Sequence, residues 1–518
     1  MSNVSGLLRA LVIYGCCVPL AVIVGYMLAT PQDPSTMVVV GILIFALTIP
    51  LFLRWHHPWL IASWNMSAVI FFLPGRPSLW IGVAGISLFI GLVQYTINRN
   101  MKFIDVPQVT RPLLFLTVVV IITARLTGGI GLRIFGGEVN GGKNYIGIFA
   151  AVIGYFALVS RPIPPKRAKL YVTLFFLGTA TLAIGELPRL LPSGFNFLFL
   201  LFPVTVAGFF NDPTGTSVTG SSSMVSRLTG LGFMGVGIFC ALCARYGIRG
   251  VLFEPSKPWR LAVMFFCLMV AALSGFRSAI ILVLMIFALL FFLEGLHHTR
   301  FLPVMIILTL LTGTLMAAFA NRLPLAMQRS MAFLPLDIDP VARLSAQAST
   351  EWRLIMWQEV LPDVPKYLLI GKGYGFSARE MAVIQDARRG GSGLEGTELA
   401  GDYHNGPLSV VIPFGIFGTI GFIWFLVAAM RVLYQNYHYG NPEYHNLNLF
   451  LFAYFLAKVI FFFTIFGSLV TDLATFIGVV GLGISLNNGV AKPALAAQPA
   501  IVFNRFKLHP SVRRPVNA

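Results

Sequence analysis

In the stretch GDYHNGPLSVVIPFGIFG, positions 401–418, one histidine and one asparagine stand directly before an apolar run long enough to enter a membrane. Imidazole exchanges protons near neutral pH, so His404 at a junction between loop and helix is a candidate general base, and Asp402 stands close enough in sequence to orient its ring. The plainer alternative is a structural histidine, with Asn405 beside it as support. Two arginines are the matching candidates for holding an anion. Arg277, in ALSGFRSAIILVLM, falls between two apolar runs with hardly any connecting loop, a depth at which a guanidinium meets an anion, water or a partner, or else snorkels to the interface. Arg353 lies on the amphipathic stretch STEWRLIMWQEVLPD (349–363), where Trp357 one turn later could stack on it as readily as a ligand could contact it.

A fourth feature, GKGYGFS (371–377), resembles a phosphate cradle only superficially. It has neither the Walker spacing nor the GxGxxG order, so Gly373 and Gly375 point to a tight turn or a close approach of backbones. No short loop or apolar run gathers His, Asp and Glu at ligand spacing, so neither a metal nor a cofactor is expected; nor is there a serine-centred nucleophile motif. The five cysteines all fall in apolar runs and read as small buried hydrophobes.

The elements that must position these residues are membrane helices. Of 518 residues, 57% are hydrophobic and 11% charged, and the mean hydropathy is +0.81, which excludes a water-soluble domain of this length. The formal net charge of +18 comes from Lys and Arg at the ends of apolar runs and in the tail, a distribution that fits positive-inside topology and gives no nucleic-acid surface. With basic connectors on the cytoplasmic side, crossings fall near 9–28, 36–53, 58–73, 78–96, 110–128, 145–160, 168–186, 230–246, 260–275, 278–294, 301–320, 407–431, 447–466 and 468–486. That gives about 12–14 transmembrane helices with both termini cytoplasmic. The first run lacks a small-residue cleavage site and reads as a retained span, 58–73 is short enough to be half-inserted, and 194–210 reads as interfacial or re-entrant.

The chain accordingly divides into N-terminal spans (1–259), central spans carrying Arg277 (260–320), a large outer loop (321–406), C-terminal spans (407–486) and a basic tail (487–518). The stretch 321–405 holds ten of the 19 acids against nine basic residues. A loop so long and charged is functional or disordered. Order is favoured by the pattern at 349–363, where a capping Ser349 or Thr350, an early acid and a proline stop predict a short amphipathic helix that lies on the membrane or covers a cavity.

Taken in order, SGFRS at a span boundary, STEWRLIMWQEVLPDVPKYLLIGKGYGFS, and YHNGPLSVVIPFGIFGTIG after a long outer loop resemble the O-antigen ligase and polymerase superfamily of bacterial envelope glycosyltransferases, over roughly 260–435. The resemblance implies an all-α, GT-C-type bundle in the bacterial inner membrane with its site facing the periplasm. It implies a polyprenyl (undecaprenyl) diphosphate-linked glycan as donor, and a glycan or lipid A core as acceptor. Arg277 and Arg353 would bind the diphosphate, and His404 would act as base on the acceptor hydroxyl. Ligase and polymerase both fit, and from a different class a lipid-linked glycan flippase would share the helices and the cationic site. A carrier should spread charge along the midplane with repeat symmetry, whereas here the polar residues gather in one outer loop.

Overall fold

The computed structural model describes residues 34–73, 75–98, 102–129, 141–189, 191–203, 228–377, 379–380, 382–383, 401 and 403–493, with a few positions between 14 and 25. Most of the expected first span, most of 386–402 including Asp402, and the basic tail from 494 lie outside the described residues. The protein is a polytopic, all-helical membrane protein. Among the described residues nine helices are long and apolar enough to cross a bilayer, and three shorter apolar helices accompany them. Helices suit this composition because hydrocarbon offers no hydrogen bonds, so each span must satisfy its own backbone.

In chain order the helices that matter are α1 (Pro34–Ser63), α2 (Leu79–Ile97), α3 (Pro107–Thr127), α4 (Gly142–Val159), α5 (Ala168–Leu177, prolonged as 3-10 helix over Gly178–Arg189), α6 (Thr229–Leu252), α7 (Trp259–Leu273), α8 (Arg277–Leu293) and α9 (Phe301–Phe319). The long loop after α9 contributes α10 (Leu325–Ser330), α11 (Pro340–Val360) and α12 (Asp363–Tyr367). The bundle closes with α13 (Gly406–Tyr439), α14 (His445–Thr464) and α15 (Leu469–Asn487). The core runs between α13, α14, α15, α4 and α6, where Phe414, Phe422, Phe425, Phe450, Phe455, Phe462 and Phe476 are fully buried. In contrast, α9 buries no residue and is apolar all round, which suits a helix facing hydrocarbon.

Three expectations are corrected. The run 58–73 is not a separate helix: α1 kinks at Trp55, three residues before Pro58, and stops at Ser63. The chain then continues as irregular backbone whose groups are met elsewhere, Val69 N–H by the Leu201 carbonyl at 2.9 Å and Ser67 N–H by Thr181 Oγ1 at 3.0 Å. Buried irregular backbone of this kind is tolerated because protein, not lipid, surrounds it. The position of His56 and His57 at the end of an apolar run points to an interface, yet both are buried: Nδ1 of His56 lies 2.8 Å from Ser87 Oγ, and Nε2 of His57 donates to the Leu158 carbonyl at 2.9 Å. The amphipathic helix begins nine residues before Ser349, at Pro340. Asp339 is its N-cap, accepting from Val341 N–H at 2.8 Å, and Pro340 occupies the first turn, where its missing N–H costs nothing. Thr350 lies mid-helix, bonded back to the Ala346 carbonyl.

Carboxylates stabilise helix starts within the bundle. Glu186 accepts from Gly230 and Leu231 N–H at 2.6 and 3.1 Å, at the start of α6. Glu294 accepts from Ile248 and Arg249 N–H at 2.6 and 2.8 Å, where Gly247 (φ 66°) interrupts the same helix. Of the four described cysteines, Cys240 and Cys243 on α6 and Cys267 on α7 are buried free thiols as expected, whereas Cys17 is exposed.

Candidate active site

Arg277 is the first residue of α8, reached from α7 through a turn at Gly275 (φ 78°). That turn is pinned from the long loop. Arg329 of α10, 3% exposed, donates to the Gly275 carbonyl, and Ser330 Oγ donates to the Ala272 carbonyl at 2.8 Å. Arg277 is half-buried, and its Nη2 donates to the Ala346 carbonyl and to Thr350 Oγ1, both at 3.1 Å. The guanidinium is therefore tied to α11 rather than extended toward the interface.

One turn further along α11, the Arg353 Cζ lies 6.0 Å from the centre of the Phe466 ring. The same ring meets His404 edge-to-face at 5.2 Å and 82°. Trp352, also on α11, meets His404 edge-to-face at 5.1 Å and 81°. The imidazole thus contacts two aromatic rings, each nearly perpendicular to it, and Arg353 shares one of them. Phe466 joins the two candidates.

The loop around His404 is held closely. Trp357 Nε1 donates to the Tyr403 carbonyl at 2.9 Å, and Tyr403 is buried with Met356, Val360, Leu408 and Ile412 in a small cluster beneath α11. Asn405 caps α13, its Oδ1 accepting from Leu408 N–H at 3.1 Å. His404 itself has φ 50°, a left-handed conformation that a residue with a Cβ adopts at a cost of about 1–2 kcal/mol. Such strain at a polar residue at a loop–helix junction points to function.

The glycine motif serves as a backbone junction. Helix α13 is interrupted at Gly415 (φ 61°) two residues after Pro413, which exposes carbonyls that an unbroken helix would use. Lys372 and Gly373 N–H donate to the Ile412 and Pro413 carbonyls at 2.8 and 3.0 Å, and Ile416 N–H donates to the Leu368 carbonyl at 2.6 Å. Gly373 has φ 68°, and a Cβ there would lie 2.7 Å from the Tyr145 hydroxyl, which itself accepts from Tyr374 N–H at 2.8 Å. Gly375 presses on the Thr127 carbonyl in the same way. The loop therefore ties α3, α4 and α13 together below His404.

A buried ion pair lies behind the site. Lys458 Nζ is 2.7 Å from Asp472 Oδ1, with side-chain exposures of 13% and 7%. Asp472 Oδ2 also accepts from Ser468 N–H at 3.0 Å, and Leu469 N–H donates to Ser409 Oγ at 3.0 Å. These bonds hold the short connection between α14 and α15, which carries Phe466. Sequence reasoning passed over Phe466, Trp352 and Tyr403, which carry no signal in a chain with 45 phenylalanines, eight tryptophans and 15 tyrosines. Lys458 and Asp472 did carry one, because an ionisable residue inside an apolar run is rare.

Among the described residues no three of His, Cys, Asp and Glu gather closely enough to hold a metal ion. Arg277, Arg353 and His404 do come together, at the end of the bundle where α8, α13 and α15 begin. Residues 262–423, from α7 to the middle of α13, match the model of the family described as O-Antigen ligase. This match supports membership of the O-antigen ligase superfamily. A search of curated proteins returned no match. The O-antigen ligase segment contains all three candidates and the glycine junction, while α14 and α15, which supply Phe466 and the ion pair, lie beyond it.

Proposed function

We propose that the protein is a membrane glycosyltransferase of the O-antigen ligase type, moving a glycan from a polyprenyl (undecaprenyl) diphosphate donor to an acceptor hydroxyl at the periplasmic face of a bacterial inner membrane. The observation that carries this reading is the convergence on α11 of Arg277, bonded to Thr350, and of Arg353 and His404, joined through Phe466, inside the matched segment. His404 takes the proton from the acceptor hydroxyl. The oxygen attacks the anomeric carbon, the bond from that carbon to the phosphate oxygen breaks, and polyprenyl diphosphate departs with the electron pair. A single displacement of this kind inverts the anomeric centre.

Charge develops on the leaving diphosphate, and fixed guanidiniums that meet it with charge-assisted hydrogen bonds stabilise the transition state. On this reading the arginines supply what a divalent ion supplies elsewhere. Transfer by the detergent-purified protein is expected to survive excess EDTA; a loss that Mg²⁺ or Mn²⁺ reverses would assign the loop carboxylates to metal.

Ligase and polymerase differ in acceptor, and deletion of the gene in its host separates them. Free lipid-linked polymer together with bare lipid A core on a gel supports the ligase. Single repeat units on the core identify a polymerase, and donor accumulating on the cytoplasmic face would make the protein a flippase.

A further inference from the structure

A cavity of about 700 Å³ opens beside Arg277. Its wall is one face of α11, carrying Arg343, Gln347, Thr350 and Glu351, and it is also lined by the apolar Ala332, Leu334, Pro335, Leu336 and Ile338. Arg343 and Thr350 lie two turns apart on that face, and the Arg277 guanidinium is bonded at Thr350. Two guanidiniums therefore line one cavity, whereas Arg353 lies by Phe466, the ring that meets His404. Arg343 spends one N–H on the Leu336 carbonyl at 3.0 Å, a small part of a five-donor fork. Among the described residues no carboxylate pairs with Arg277 or Arg343.

We propose that Arg343 is a third anion-binding residue, holding with Arg277 the lipid-side phosphate of a diphosphate ligand, while Arg353 serves the sugar-side phosphate next to His404. The assignment rests on the donor reading above and follows from the order along α11: Arg343, then Arg277 at Thr350, then Arg353, then His404. The bond that breaks lies at the His404 end, so new charge appears beside Arg353. The phosphate that stays on the lipid carries charge throughout and is met by the Arg277–Arg343 pair. Glu351 stands on the same wall with the opposite sign and sets an upper limit on how tightly an anion is held.

The test is binding of farnesyl diphosphate to the full-length protein in detergent, measured by calorimetry. Arg343→Ala should weaken it about tenfold or more, the scale of a charge-assisted hydrogen bond, with Arg343→Lys intermediate. Glu351→Gln should tighten it several-fold. Opposite effects from two residues on one helix face separate a charge effect from local misfolding. Unchanged affinity in Arg343→Ala, or equal weakening in both variants, overturns the assignment. If wild type itself does not bind farnesyl diphosphate, the donor reading fails first, whatever Arg343 does.

Discussion

His404→Ala lowers glycosyl transfer by about 10²–10⁴-fold, the range a positioned general base contributes, and leaves donor binding nearly intact. A base touches the acceptor proton in the transition state and adds little to capture of the donor, so the loss appears in kcat. The backbone provides a control. At φ 50° the residue occupies a conformation that Asn tolerates better than other side chains, so His404→Asn should match or exceed wild type in thermal stability while remaining inactive. Stability gained as activity is lost is the signature of a strained residue kept for its chemistry. Full turnover by purified His404→Ala protein would remove the base assignment. A His404→Asn protein that is both inactive and much less stable would show that the ring is needed for packing against Trp352 and Phe466.

The positions of Arg277, Arg353 and His404 were legible in the sequence because polar residues are costly in a chain this apolar, and those that persist stand out. Their surroundings were not legible to the same degree. Apolar composition alone does not distinguish a spanning helix from the buried irregular segment after Ser63, whose N–H groups find acceptors in Leu201 and Thr181, residues more than 100 positions away. At the head of α11 two start signals competed. Asp339–Pro340 prevailed over Ser349 and Thr350 because it combines a cap with a proline in the first turn, and Thr350 was left to receive Arg277. The glycine junction was legible as a close approach, but its partner was not, since the break in α13 at Gly415 exposes the carbonyls that Lys372 and Gly373 meet.

The largest effect on stability is expected at Lys458 and Asp472. Asp472→Ala leaves Lys458 buried with no counter-ion and frees the Ser468 N–H, and breaking a buried pair on one side costs about 3–5 kcal/mol. Replacing both, as Lys458→Met with Asp472→Leu, removes the stranded charge and should recover most of that loss, because the pair's own attraction largely offsets its desolvation. Asp472→Ala and the double variant, unfolded thermally in detergent, decide this: a double variant no more stable than Asp472→Ala would mean that the carboxylate acts through the Ser468 cap alone. Activity should not follow stability in the double variant. Asp472 fixes the turn from which Phe466 reaches both His404 and Arg353, so a protein restored in stability but lacking the Ser468 bond should still transfer slowly, with the deficit in kcat. Recovery of both stability and turnover would mean instead that Phe466 holds its place by packing against its neighbours.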